Sequence, residues 1–278
     1  VEEKTRKWAG AVDELALAAK NFPLAAYSGL QRSLQQEWQF LQRVRKDCGG
    51  KFIEVEKSIS RTFLPALFDD EYDDDDPRRQ LACLPVKHAG MALPEATSSS
   101  ISNYDSSTLI NGHFFRALIG AIQFRSKDHV STIREAKVEI QERKLLENDT
   151  ELELLASRLS CNDRRTILRG KETGQWLTVM PSAVNGTKLS AQEFRDALLL
   201  RYSRSPGDLQ SHCDGCGQSF GVRHALSCMK GRLLIFRHNK ILDELCDYAS
   251  KAVFPSGVCD EPRIYILPNA ESKIVMEP

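Results

Sequence analysis

Four side chains that can bind a metal lie close together in the sequence: Cys213, Cys216, His224 and Cys228. Two cysteines three positions apart, around an Asp-Gly turn, can direct both sulfurs into one tetrahedral site. His224 and Cys228 are four positions apart, so on a helix they would share one face. Three thiolates and one imidazole complete a zinc shell and leave no position for water. The spacing therefore predicts one structural Zn²⁺ in a small knuckle at residues 213–228.

A coincidental grouping of unliganded cysteines is the alternative, in a chain with eight cysteines and six histidines. A zinc deaminase also uses a Cys-x2-Cys pair, but it needs an upstream His-x-Glu that this sequence lacks. The chain also has no Gly-x-Ser-x-Gly, no phosphate-binding loop and no dinucleotide fingerprint. We therefore expect no catalytic residues in this chain.

Basic residues surround and follow the predicted knuckle. Arginine and lysine bind phosphates, and arginine or asparagine can also reach base edges, so the pattern predicts nucleic-acid binding. An ordinary solvated helix face is the alternative. This basic cluster comprises Arg223, Lys230, Arg232, Arg237, His238, Asn239 and Lys240.

An acidic run at residues 69–76 contains the letters Tyr-x-Asp-Asp at Tyr72–Asp75, which resemble a polymerase metal motif. Such a motif needs a tight hairpin between apolar strands, so that two carboxylates meet at a metal pair. Here the neighbours are acidic residues and Pro77. We interpret the run as a solvated loop, because dense like charge repels itself.

The elements that must position these residues are mostly helices. Apolar residues recur every three or four positions over 24–47, and more weakly over 1–22 and 52–67, which predicts a helical bundle. We expect a mainly α fold with three parts: a helical bundle at 1–130, a charged helical connector at 131–172, and a zinc-knuckle region at 173–278. A few short strands are expected, among them Trp176–Val179.

The charge balance and the apolar pattern of the chain limit its partners and its cellular location. Thirty-eight basic residues balance thirty-eight acidic ones, so a nucleic-acid surface must come from local patches. No apolar run reaches the roughly 20 residues that cross a bilayer, and the charged N-terminus lacks a signal-peptide core. We expect an intracellular protein, in the nucleus or cytoplasm, with reduced cysteines and no membrane partner.

Four stretches together resemble the region downstream of the polymerase domain in LINE-type (non-LTR) retrotransposon reverse transcriptases. Residues 26–44 resemble the helical segment after the polymerase palm. Leu84–Pro94 resembles a Leu-Pro…Gly-Gly-x-Gly-Leu-type segment, and residues 176–202 resemble the stretch that introduces the knuckle. The knuckle with Arg237-His238-Asn239 resembles the one that precedes a restriction-like endonuclease.

This resemblance implies a non-catalytic fragment of a longer polyprotein. It would bind template RNA or target DNA beside the flanking polymerase domain and possibly an endonuclease domain. The helical bundle would act as a thumb-like element. Ala89 departs from the family pattern, because it replaces the first of the usual paired glycines. The alternative is a stand-alone intracellular zinc-binding adaptor that contacts other proteins.

Overall fold

A computed structural model describes residues 1–71, 76–230, 233–252, 264–266 and 274–276. These residues form two compact units, unit 1 at Val1–Pro206 and unit 2 at Gly207–Pro278. The Tyr-x-Asp-Asp letters at Tyr72–Asp75 and the basic residue Arg232 lie outside the described residues.

The described residues are mainly helical, which confirms the predicted fold class. No helix among them is long and apolar enough to cross a membrane. Two short strands, β1 (Ile264–Ile266) and β2 (Ile274–Met276), pair in antiparallel orientation. The helices are α1 (Glu2–Ala19), α2 (Pro23–Gly29), α3 (Gln35–Val44), α4 (Ile53–Ser58), α5 (Leu64–Phe68), α6 (Arg78–Cys83), α7 (Ser99–Leu118), α8 (Ser126–Ser157), α9 (Cys161–Arg169), α10 (Ala191–Arg201), α11 (Val222–Ser227) and α12 (Leu233–Ala252).

The first five helices pack around one apolar core. A π-helical turn, Leu30–Leu34, joins α2 to α3, and a second one, Ile59–Phe63, joins α4 to α5. Each pair is therefore one continuous helix with a single widened turn. Large side chains fill the interior without exposure above 2 %, among them Tyr27, Trp38 and Phe52.

A buried irregular segment, residues 84–96, crosses this helical core, and we call it the strap. Apart from a 3₁₀ turn at Val86–His88 it has no regular structure, so its carbonyls need donors from elsewhere. Side chains of four helices, α2, α3, α6 and α10, supply them. The hydrogen bonds run from Tyr27 Oη to Met91 O (2.8 Å), Gln35 Nε2 to Ala92 O (3.2 Å), Gln42 Nε2 to Ala96 O (2.7 Å), Arg79 Nη1 to Leu93 O (2.8 Å) and Arg201 Nη2 to Val86 O (3.0 Å).

The backbone of the strap approaches itself closely at Ala89 and Gly90. Ala89 has a φ of 64°, a left-handed conformation that glycine adopts more readily. At Gly90 an added Cβ would lie 1.9 Å from the carbonyl oxygen of Leu84. The chain therefore tolerates alanine at the first position with some strain, while the second position requires glycine.

The structure differs from the sequence-based expectations in three places. Trp176–Val179 is not a strand, because Gln175–Thr178 forms a 3₁₀ turn. The compact units divide at 206/207 and not within 131–172, since Leu152 and Leu155 of α8 are buried in the core of unit 1. The acidic run is not solvated throughout: Asp76 is paired with Arg78 at 3.0 Å and with Arg204 at 2.7 Å. Ser190 and Glu193 form a capping box at the start of α10, as the Ser-x-x-Glu spacing indicates.

Replacing Gln42 by leucine is expected to destabilise unit 1 by about 1–3 kcal/mol, because the Ala96 carbonyl would be left buried without a donor. Gln42 is fully buried, and its Oε1 also accepts a hydrogen bond from Asn103. Gln36→Leu is the matched control, since Gln36 is an exposed glutamine of the same helix, α3. Urea unfolding measures both variants, and equal midpoints for the two would contradict the strap's role.

Gly90→Ala is expected to cost about 2–4 kcal/mol, because the new methyl group overlaps the Leu84 carbonyl and the strap must move. Gly10→Ala is the control, since its Cβ would meet nothing within 4 Å and alanine favours the helix. Thermal unfolding should therefore show a lower midpoint for the first variant and an unchanged or higher one for the second. A Gly90→Ala chain as stable as wild type would show that the strap is not tightly held.

Candidate metal centre

The four predicted ligands of unit 2 converge on one point. Their ligand atoms all lie within 4.8 Å of one another. The Cys213 and Cys228 sulfurs are 3.8 Å apart, as are those of Cys228 and Cys216, and Cys216 Sγ is 3.2 Å from His224 Nε2. A tetrahedral ion with metal–sulfur bonds of about 2.3 Å has sulfur–sulfur edges of about 3.8 Å. These distances fit a metal ion and are far too long for a disulfide.

A tight turn brings the first two cysteines together. The amide of Cys213 donates to Gln218 O at 2.8 Å, and the amide of Gly217 donates back to Cys213 O at 2.7 Å. Gly217 has a φ of 73°, which glycine adopts without strain. The turn is closed by an antiparallel bridge between His212 and Ser219. Cys213 and Cys216 therefore face one point from a single short loop.

The other two ligands come from α11 and its end. His224 lies within the helix, whereas Cys228 follows Ser227, the last helical residue, in extended conformation. The amide of Cys228 still donates to His224 O at 2.8 Å, so the four-residue spacing keeps its helical hydrogen bond. The ring of Phe220 packs edge-on against His224, with centroids 6.1 Å apart, and this orients the imidazole.

The electrostatics of the site favour the thiolate at Cys213 and disfavour it at Cys228. Backbone amides of Cys216 and Gly215 lower the pKa of the Cys213 thiol to about 6. For Cys228 a backbone hydrogen bond at Lys230 acts in the same direction. Burial and the sulfurs of Cys213 and Cys216 outweigh it, and the pKa of Cys228 is raised. Several sulfurs at this distance repel one another as thiolates, and a bound cation would remove that repulsion.

The described members of the basic cluster all belong to unit 2. Arg223 lies on α11, and Lys230 follows it, both exposed. The α12 members are Arg237, His238, Asn239 and Lys240. Arg237 donates from Nη2 to Leu226 O at 2.9 Å, so it fastens α12 to the last turn of α11. Lys240 shares its helix face, being three residues further on.

One group of histidine and phenylalanine rings is not evident from the sequence. The rings of His113 and His129 stack with centroids 5.9 Å apart where α7 and α8 meet. Phe114 and Phe124 complete this cluster. Residues from two helices meet here because the chain reverses between them, and a sixteen-residue spacing carries no sequence pattern that reveals it.

Comparison with known proteins gives no relative for this arrangement. No protein-family model matches the chain, and neither a curated protein nor a solved structure does.

Cys216→Ser is expected to abolish metal binding, because serine cannot replace a thiolate in a shell of three sulfurs and one nitrogen. Bound metal, measured by mass spectrometry after dialysis, should fall from one ion per chain to near zero. Cys161→Ser is the matched control, since Cys161 is an exposed cysteine on α9 of unit 1. Amide exchange should rise across residues 207–230 only in the first variant. A metal content that does not change would disprove the site.

Proposed function

We propose that the chain is a zinc-stabilised nucleic-acid-binding region of a LINE-type retrotransposon reverse transcriptase, with no catalytic residues of its own. The observation that carries the proposal is the convergence of Cys213, Cys216, His224 and Cys228 beside a stretch of basic residues. Zinc is the metal that fits best, because a compact set of three thiolates and one imidazole selects it over hard cations.

The ion would have a structural role. Among the described residues of unit 2 up to Ala252, only Cys213 and Cys228 are buried. So small an apolar interior gives little hydrophobic stabilisation, and a metal bound to four side chains can supply the missing folding free energy. The four protein ligands fill the shell and exclude the water that a catalytic zinc would need.

Charge supports a polyanionic partner for this unit. From Gly215 to Leu242 the sequence holds five basic residues and no acidic one, although the whole chain is neutral. Arg223, Lys230 and Lys240 are exposed and can reach phosphates of RNA or DNA. Arg237 has a structural hydrogen bond as well, so its remaining donors would hold a phosphate at a fixed position relative to α11.

The reverse-transcriptase assignment rests on the resemblance of four stretches, and the helical core of unit 1 is compatible with a thumb-like element. Reading the coding sequence on both sides of this segment tests it directly. A polymerase palm upstream or an endonuclease downstream would support the assignment. If the flanking reading frames encode neither a polymerase palm nor an endonuclease, the resemblance would indicate common ancestry and not a present role in reverse transcription. The metal-binding and nucleic-acid-binding parts of the proposal would then be judged by their own experiments.

One observation favours the alternative, a zinc-binding adaptor that contacts proteins within the cell. The α12 helix carries apolar side chains that are more than half exposed, with Ile235, Ile241, Leu245 and Tyr248 between 56 % and 65 % exposed. Such side chains can bind a complementary apolar surface. A chain that binds a protein but neither RNA nor DNA at low salt would favour this function.

The double variant Arg223→Gln with Lys240→Gln is expected to weaken nucleic-acid binding by the loss of two phosphate contacts. The slope of log affinity against log salt should become shallower by about 1.4–1.8, because fewer counterions are released on binding. Fluorescence anisotropy with a labelled duplex and a labelled single strand, over a series of salt concentrations, measures both quantities. Arg237 is left intact, since its loss would also loosen α12 from α11.

Lys4→Gln with Lys7→Gln removes the same charge from the exposed face of α1 in unit 1 and is the control. The control should bind like wild type. Equal salt slopes for the two double variants would mean that the basic cluster makes no phosphate contact.

A further inference from the structure

The end of α7 and the start of α8 extend from unit 1 without entering its core. No residue between positions 107 and 135 is buried, whereas Ser106 of α7 and Ala136 of α8 both are. This segment, which we call the arm, comprises the second half of α7, the turn after it and the first turns of α8. The turn is tight, with Gly120 at a φ of 73° and the amide of Ala121 bonded to Arg116 O at 2.9 Å. The arm is therefore an ordered projection.

The arm carries aromatic rings that remain accessible. Phe114, Phe115 and Phe124 are 46 %, 52 % and 49 % exposed. They form one group with His113 and His129, whose rings lie about 6 Å from those of Phe114 and Phe124. An aromatic cluster that stabilised only the protein would bury these faces, as the rings of the core are buried.

Two polar atoms within the cluster have unused hydrogen-bonding capacity. His113 Nε2 and His129 Nδ1 are inaccessible to water and have no hydrogen-bond partner in the part of the chain that the structure describes. Buried ring nitrogens usually have a partner, and one without it is costly. These nitrogens are inaccessible, so a ligand would contact the exposed ring faces of the cluster and not these two atoms.

The charge of the arm differs from that of the rest of α8. Residues 107–135 contain four basic and two acidic residues, while residues 136–158 contain four basic and six acidic ones. The basic residues of the arm lie close to its aromatic residues in the sequence, with Arg116 directly after Phe115 and Arg125 directly after Phe124. They are Arg116, Arg125, Lys127 and Arg134.

We propose that the arm is a second nucleic-acid contact, in unit 1, which binds a single strand by stacking bases on its phenylalanine rings. Successive bases would lie on Phe115 and Phe124, and Arg116, Arg125 and Lys127 would bind the phosphates between them. Stacking needs unpaired bases, so a duplex of the same length would bind the arm poorly. This inference goes beyond the zinc site, because no metal ligand and no residue of unit 2 takes part.

An anionic membrane surface would also attract apolar and basic side chains, and Leu118 and Ile119 are the most exposed apolar residues of the turn. The histidine rings within the cluster favour a nucleic acid, because stacked imidazoles with polar edges offer little to lipid chains. The two ligands also differ in what they require of phenylalanine. A bilayer accepts leucine in its place, whereas base stacking requires the aromatic ring.

The test uses the full-length chain with Phe115→Leu and Phe124→Leu, which keep apolar volume and remove the rings. We expect affinity for a labelled oligothymidylate of about 20 nucleotides to fall about 10-fold or more, with an unchanged salt slope and unchanged duplex affinity. Phe22→Leu with Phe40→Leu is the control, since both phenylalanines are 64 % exposed elsewhere in unit 1, Phe22 just before α2 and Phe40 on α3. Circular dichroism and thermal unfolding confirm that the variants fold, and ultraviolet cross-linking with mass spectrometry locates the contact.

Cross-links to a peptide of residues 113–127 together with the loss of affinity would support the arm as the site. Equal oligothymidylate affinity for the wild type and the arm variant would overturn the proposal. So would binding to phosphatidylserine vesicles with no binding to the oligonucleotide. Failure of the basic cluster is recognised separately, because Arg223→Gln with Lys240→Gln changes the salt slope and leaves the arm's rings intact.

Discussion

Backbone carbonyls removed from water must find hydrogen-bond donors, and the strap of residues 84–96 concentrates that requirement in unit 1. A helix or sheet satisfies its own carbonyls, whereas an irregular buried segment depends on side chains from the elements around it. Tyr27, Gln35 and Gln42 on one continuous helix and two arginines on α6 and α10 meet this demand. Helices that are distant in sequence are thereby fixed relative to one another through a single piece of backbone.

The two units are stabilised by different means. Unit 1 buries large apolar side chains, such as Trp38 and Phe52, and its buried Tyr27 and Gln42 side chains donate hydrogen bonds to the strap. In unit 2 up to Ala252 the buried described residues are two of the four candidate metal ligands. Heat and urea act on hydrophobic burial, while a chelator or an oxidant of thiols would act on the proposed metal site. With a metal bound there, one chain would respond to two unrelated conditions through separate parts.

Local patterns predicted much of the fold and of the candidate site. The three- and four-residue apolar spacing identified the helices over 24–44 and 53–68, and the Ser190–Glu193 capping box marked the start of α10. The candidate metal site was predictable because all four ligand residues come from one short segment. Contacts between distant segments were not predictable. Leu152 and Leu155 reach the core although α8 is rich in charged residues, and the pairing of His113 with His129 depends on how two helices reverse.

The widened turn at Leu30–Leu34 has a consequence for the phase of the helix that contains it. In a regular α-helix, residues eight apart differ by about 80° around the axis, so Tyr27 and Gln35 would point in clearly different directions. A π turn adds one residue, which offsets the rotation by about 100° and brings the two side chains to within about 20°. Gln42, seven residues after Gln35, continues the same line, which explains why all three reach one strap. The widened turn therefore works as a rotational correction. The same residues wound as a regular α-helix would rotate Gln35 and Gln42 by about 100° away from the face that carries Tyr27.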